Sequence, residues 1–154
     1  MKKLLLFLTI TIAFCYSCNN DDDEPNVIKQ EFVLEEVNNS GIKGLVSIVK
    51  SATDYTFFTI ILEGTSSGNL YPTHIYNDSL TDDGNIAFSL SEAYRREGDK
   101  VAISSTPFSP IDKGDSFFVM TYDELINFDG HVKILKSESD PTVVAQGNIG
   151  INAQ

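Results

Sequence analysis

Cysteine is scarce in this 154-residue chain: Cys15 and Cys18 are the two present, and none follows. The remainder therefore closes no internal disulfide, and a fold there must rest on a packed core. Tryptophan is absent and histidine occurs twice, at His74 and His131. That leaves too few imidazoles for a multi-histidine metal site; copper or zinc would have to use His74, Tyr76, His131 and carboxylates, a weak set. Basic residues number 11 against 22 acidic ones, for a formal charge of −11. Such a field repels phosphate backbones and excludes nucleic acid as a partner. Solubility accounts for the charge better than cation binding does, because the acids are scattered. No apolar run reaches the roughly 20 residues needed to cross a bilayer as a helix. There is no Gly-x-Ser-x-Gly elbow and no Ser/His/Asp order, so hydrolase chemistry has no carrier.

What is present begins with a three-zone start. Lys2 and Lys3 precede an apolar stretch over residues 4–14, and Tyr16-Ser17 leads into Cys18. This is the layout of an export signal over residues 1–17. Its apolar stretch would span about 18 Å as a helix, short of the ~30 Å hydrocarbon core. Phe14-Cys15-Tyr16-Ser17-Cys18 resembles a lipobox, with Cys15 where an aliphatic residue is usual. The resemblance implies that Cys18 is the acylated first residue of the exported protein; simple secretion is the alternative. An unpaired cysteine in an oxidising compartment is then explained, and two or more acyl chains make the anchor stable.

Asn19-Asn20-Asp21-Asp22-Asp23-Glu24-Pro25 follows, an acidic run that self-repulsion extends into a tether over residues 18–26. Such a run after the lipidated cysteine resembles a surface-export signal of outer-membrane lipoproteins. The expectation is an outer-membrane lipoprotein facing outward, with a periplasm-facing one as the alternative.

Residues 27–154 suit one domain. Their apolar residues alternate with period two, the strand signature. Runs at 28–37, 43–50, 55–63, 85–91, 132–134 and 143–151 read as strands. Residues 55–63 are apolar on both faces, so that strand is expected to be central. Ile86, Phe88 and Leu90 are expected to face the core. Turns are expected at Asn39-Ser40-Gly41, 64–69, 82–85, Glu97-Gly98-Asp99 and Asp129-Gly130, where glycine and Asx residues suit tight geometry. Thr121-Tyr122-Asp123-Glu124 is a capping box that starts a short helix over 122–127, expected to seal one open end. Residues 104–115, with Pro107, Pro110 and Gly114, read as the most loop-like part. The whole is all-β: a Greek-key β-sandwich of about seven to eight strands with one short helix.

Two segments carry a family resemblance. Residues 121–132 (TYDELINFDGHV), followed by Val144-Ala145-Gln146-Gly147-Asn148-Ile149-Gly150, resemble the C-terminal half of bacterial CHRD-type lipoprotein domains. Tyr71-Pro72-Thr73-His74-Ile75-Tyr76 resembles the HPAHIH stretch of that family. The likeness covers most of 42–152 and implies a sandwich similar to that of copper/zinc superoxide dismutase. In that fold, histidines two apart would share a strand face and a metal; here the pair is His74-Ile75-Tyr76.

The candidate sites are therefore few. His74 is expected to be a strand histidine bonded to a nearby loop, and His131 to face solvent beside Lys133. Asn77, Asp78, Asp82 and Asp83 offer oxygen ligands for calcium, without EF-hand spacing. Asp78-Ser79-Leu80 resembles a short O-glycosylation motif with Ser79 as acceptor. Tyr71, Tyr76 and Tyr94 are candidates for stacking on sugars. No cofactor is expected. The favoured function is a non-enzymatic binding, adhesion or envelope-accessory module on a membrane anchor, meeting a surface protein or glycan. A metal-handling or vestigial dismutase-like protein and an accessory glycan-binding subunit of an uptake system are the alternatives.

Overall fold

The computed structural model describes residues 27–82, 84–112 and 118–153. The expected leader, Cys18, the tether, Asp83 and Gln154 lie outside the described residues. Eleven strands appear in chain order: β1 (Lys29–Glu36), β2 (Lys43–Lys50), β3 (Thr56–Glu63), β4 (Leu70–Tyr71), β5 (Thr73–Asn77), β6 (Ile86–Ser89), β7 (Ala93–Tyr94), β8 (Ala102–Ser109), β9 (Phe118–Val119), β10 (Asp129–Ser137) and β11 (Asp140–Gly150). One helix, α1 (Tyr122–Ile126), and a closing 3-10 turn (Ile151–Ala153) complete the set.

The chain is thus all-β with one short helix, as its alternation requires. The strand count exceeds the seven or eight expected. The two-residue strands β4, β7 and β9 are too short to show a period-two pattern in sequence, and their neighbours alone define them.

The strands follow one path, β4-β7-β8-β3-β2-β1-β11-β10-β5-β6, with β9 beside β8. All pairings are antiparallel except β8 with β9. The path curls so that residues from both of its halves meet in one core: Phe58, Ile60 and Leu62 of β3 are fully buried together with Ile75 of β5 and Val132 and Ile134 of β10. Burying each such side chain is worth about 1.5–3 kcal/mol before chain entropy is charged against it.

β3 lies between β2 and β8, the central position its double apolarity implied. Among the described residues, however, no further layer covers its second face, and Phe57 is exposed. At the path's far end, Ile86 of β6 is half exposed rather than core-facing, because β6 has a neighbour on one side and a register shift opposite it. Phe88 still packs edge-on against Phe108 and Phe118.

The first half of the stretch expected to be most loop-like, residues 104–109, is strand; 110–112 lie outside it, and 113–115 lie outside the described residues. Ala102, Ser104, Thr106 and Phe108 of β8 are buried at every second position against β3. Small polar residues hid that alternation. Among the described residues, Pro107 falls where β8 has β3 alone beside it, the edge setting a strand proline takes.

Asp129-Gly130 is also not a turn. Both begin β10, and a Cβ on Gly130 would strike the Tyr76 carbonyl and the Phe128 ring. Glycine is there for close approach rather than for positive φ. Genuine left-handed turns occur at Asn38, Asn39 and Gly41, and at Gly98. In α1 the Thr121 Oγ1 accepts the Glu124 N–H at 3.2 Å, and Glu124 Oε2 accepts the Thr121 N–H at 2.8 Å. The helix closes over β2 and β11 with Tyr122 and Leu125 buried.

Candidate functional site

The outward side of β5 and β10 gathers the residues singled out for chemistry. Strand alternation sends Ile75 and Val132 inward, so His74, Tyr76, His131 and Lys133 share the other side. Tyr76 lies directly across from His131, and their rings stack with centroids 5.1 Å apart. The Lys133 Nζ stands 4.7 Å from the Tyr76 ring centre.

His131 is not at the surface, contrary to expectation; it is fully buried. The loop after β5 folds back over it: Asp78 N–H donates to the Asp129 carbonyl at 3.0 Å, and Leu80 N–H to Asn148 Oδ1 at 2.9 Å. His131 Nδ1 then donates to the Asp78 carbonyl at 2.8 Å. Its Nε2 is buried with no hydrogen-bond partner among the described residues. His74 is a strand residue as expected, but its Nδ1 has no partner there either, so the loop bond expected of it is not made. Burial pushes the His74 imidazole below its usual pKa. Among the described residues no three His, Cys, Asp or Glu side chains converge on one point.

The loop itself is knitted by its own side chains. Ser79 Oγ donates to Asp82 Oδ2 and lies 2.7 Å from Thr81 Oγ1, so the expected glycosylation acceptor is half-buried and hydrogen-bonded. Asn77 donates to the Asn85 carbonyl. Of the proposed stacking tyrosines, Tyr71 is buried, its hydroxyl accepting the Ser66 N–H at 2.9 Å, and Tyr76 is spent on His131. Tyr94 alone of the three is exposed.

Tyr94 belongs to a feature that the sequence reading missed. On the outward side of the other half of the path, the registers line up Val33, Leu45, Ile61, Ile103, Tyr94 and Leu70 as one transverse row. Six strands at about 4.8 Å spacing make a stripe roughly 24 Å long. Val33 is 64% exposed, Ile103 49%, Tyr94 42% and Leu70 49%. A second, shorter row, Val49, Phe57 and Pro107, runs parallel to it. Between them Thr59 and Ser105 hydrogen-bond at 3.1 Å. The flank beyond the first row carries Glu63 opposite Lys43.

Isolated surface apolar residues are ordinary, but a contiguous row of six is the kind of patch that meets something. A signal for it existed: Phe57 and Ile61 were apolar on what the alternation makes the outward side. The two apolar faces gave β3 its central place, but a row across six strands shows only through the register, since cross-strand neighbours are invisible without it.

No family model matches the chain, and no curated protein matches it in sequence.

Proposed function

We propose that this chain is a non-enzymatic docking module: a Greek-key sandwich of the CHRD kind, anchored through acylated Cys18 to the outer membrane, facing outward and binding a protein through the row Val33–Leu45–Ile61–Ile103–Tyr94–Leu70. The observation that carries the reading is that row, which leaves apolar area in water that a monomer has no reason to expose. Docking would remove it from water at about 25 cal/mol per Å², with Tyr94 as the aromatic anchor of the patch. The tether and leader support placement at a membrane, since a module held at a surface meets its partners there.

A metal-handling role draws less support. His131 is covered by Tyr76 and the Asp78 loop, and one ring nitrogen is already engaged.

The test uses a photo-reactive amino acid placed at Ile103 of the full chain in intact cells. A discrete cross-linked adduct is expected, lost when Tyr94→Asp is added and retained with Asp99→Asn. A chain that is folded, acylated and protease-accessible on intact cells yet gives no adduct would refute the docking reading. Cys18→Ala is expected to abolish incorporation of a labelled fatty acid.

A further inference from the structure

β1 and β11 pair only at Glu35 with Gln146 and Glu36 with Ala145. The Val33 carbonyl still lies where a Cβ on Gly147 would be, so glycine lets the backbones approach there, but no ladder continues beyond it and the strands part. The divergence opens a groove of ≈ 720 Å³, within the usual range for small-ligand sites. It is remote from the apolar row's outer strands and uses a different chemistry.

Side-chain amides dominate its polar lining: Gln30, Asn127, Gln146, Asn148 and Asn152. Three of these are fixed at one end by the protein. Asn148 Oδ1 accepts the Leu80 N–H, which leaves its NH₂ to donate. Asn127 Nδ2 donates to the Asp123 carbonyl at 2.8 Å, and Asn152 Nδ2 to Asp129 Oδ1 at 2.6 Å; each keeps its own carbonyl oxygen as an acceptor. The partners dictate which end is which, since an N–H needs an acceptor and a carbonyl or carboxylate needs a donor. Gln30 and Gln146 make no side-chain hydrogen bond among the described residues. Glu31 and Glu35 add acceptors, and no Lys, Arg or His lines the groove.

From this we infer that the groove binds a neutral oligosaccharide. Its polar atoms mix donors with a surplus of acceptors, and every sugar hydroxyl can both donate and accept. Pre-oriented amides bind without the entropy cost of being ordered. Lys29 pairs with Glu31 at 3.1 Å, which leaves Glu35 as the carboxylate on the lining that disfavours phosphate, sulfate and uronate groups. Leu80 and Ile126 on the lining offer apolar surface for the C–H faces of a sugar ring. This goes beyond the docking reading; Val33 borders both surfaces, but the amides that carry this inference lie outside the apolar row and Tyr94 lies outside the groove, so either can fail alone.

The test is calorimetry on the full chain, held in a detergent without a sugar headgroup. It is titrated with maltohexaose, cellohexaose, mannohexaose and xylohexaose, with hexagalacturonate and with a basic heptapeptide. Saturable binding of at least one neutral hexasaccharide is expected. Asn148→Ala and Gln146→Ala should each weaken it about tenfold, roughly one good hydrogen bond. Tyr94→Ala should leave it unchanged. Gln30→Ala serves as the variant that cannot unfold the loop, because its side chain is exposed and bonded to nothing described. No neutral binding at millimolar ligand, a preference for hexagalacturonate or the peptide, or binding that survives all three groove variants would overturn the inference.

Discussion

His74 shows what burial does to a single residue on an otherwise polar strand side. Its ring is half-buried, Nδ1 has no partner among the described residues, and desolvation holds its pKa below the unfolded value. The unfolded chain therefore binds the proton more readily than the folded one does. Stability attributable to His74 is intact above the ordinary imidazole pKa of about 6.5 and declines as pH falls through that value, levelling off below the folded pKa. Thermal melts of the wild type and His74→Gln between pH 8 and pH 5 are expected to diverge from one another, with the wild type losing more. Parallel curves would show that the ring is solvated in the folded state. Gly150 is the backbone counterpart: it combines a φ of +60° with a Cβ position already occupied by the Phe128 carbonyl, so no other residue fits without displacing β10.

Among the elements, α1 depends most on its ends. Five residues are too few to be helical alone, since nucleation costs more than so short a ladder returns. The Thr121–Glu124 box satisfies two amides that the helix cannot, and the Thr121 N–H and hydroxyl, both donating to Glu124 Oε2, hold that carboxylate below its usual pKa. Leu125 and Tyr122 then dock it over β2 and β11. Thr121→Ala is expected to cost about 1 kcal/mol, read as a lower urea midpoint at unchanged slope. An unchanged midpoint would mean that the docked Leu125 suffices without the cap.

The whole molecule is one curled path with a single core, and its stability is graded along that path. β2 and β3 have hydrogen-bonded neighbours on both sides, whereas β4 and β6 end the path and are short. Native-state hydrogen exchange is expected to protect β2 and β3 to the level of global unfolding. β4 and β6 should exchange by local opening. Equal protection in all four would contradict the grading. The same arrangement sets the surfaces: among the described residues no layer covers the apolar row or the β1–β11 groove.

Much of this was legible in the residues themselves. The period-two runs marked β1, β2, β3, β10 and β11, the all-β class followed, and the capping box placed α1 to within one residue. These are local properties, set by where each side chain points along its own strand or turn. β8 was hidden because its inward positions include small polar Ser104 and Thr106, which blur the apolar alternation, and because Pro107 is a poor strand former that a neighbouring strand overrides. His131 could not be called buried from its polar setting, since the loop that covers it is held by Asp78 and Asn148, far apart in the chain. The apolar row was hinted at only by the second apolar side of β3, and the amide groove not at all. Each exists only where registers and the splay of β1 from β11 bring six or more segments together, and register is a relation between strands that no single strand contains.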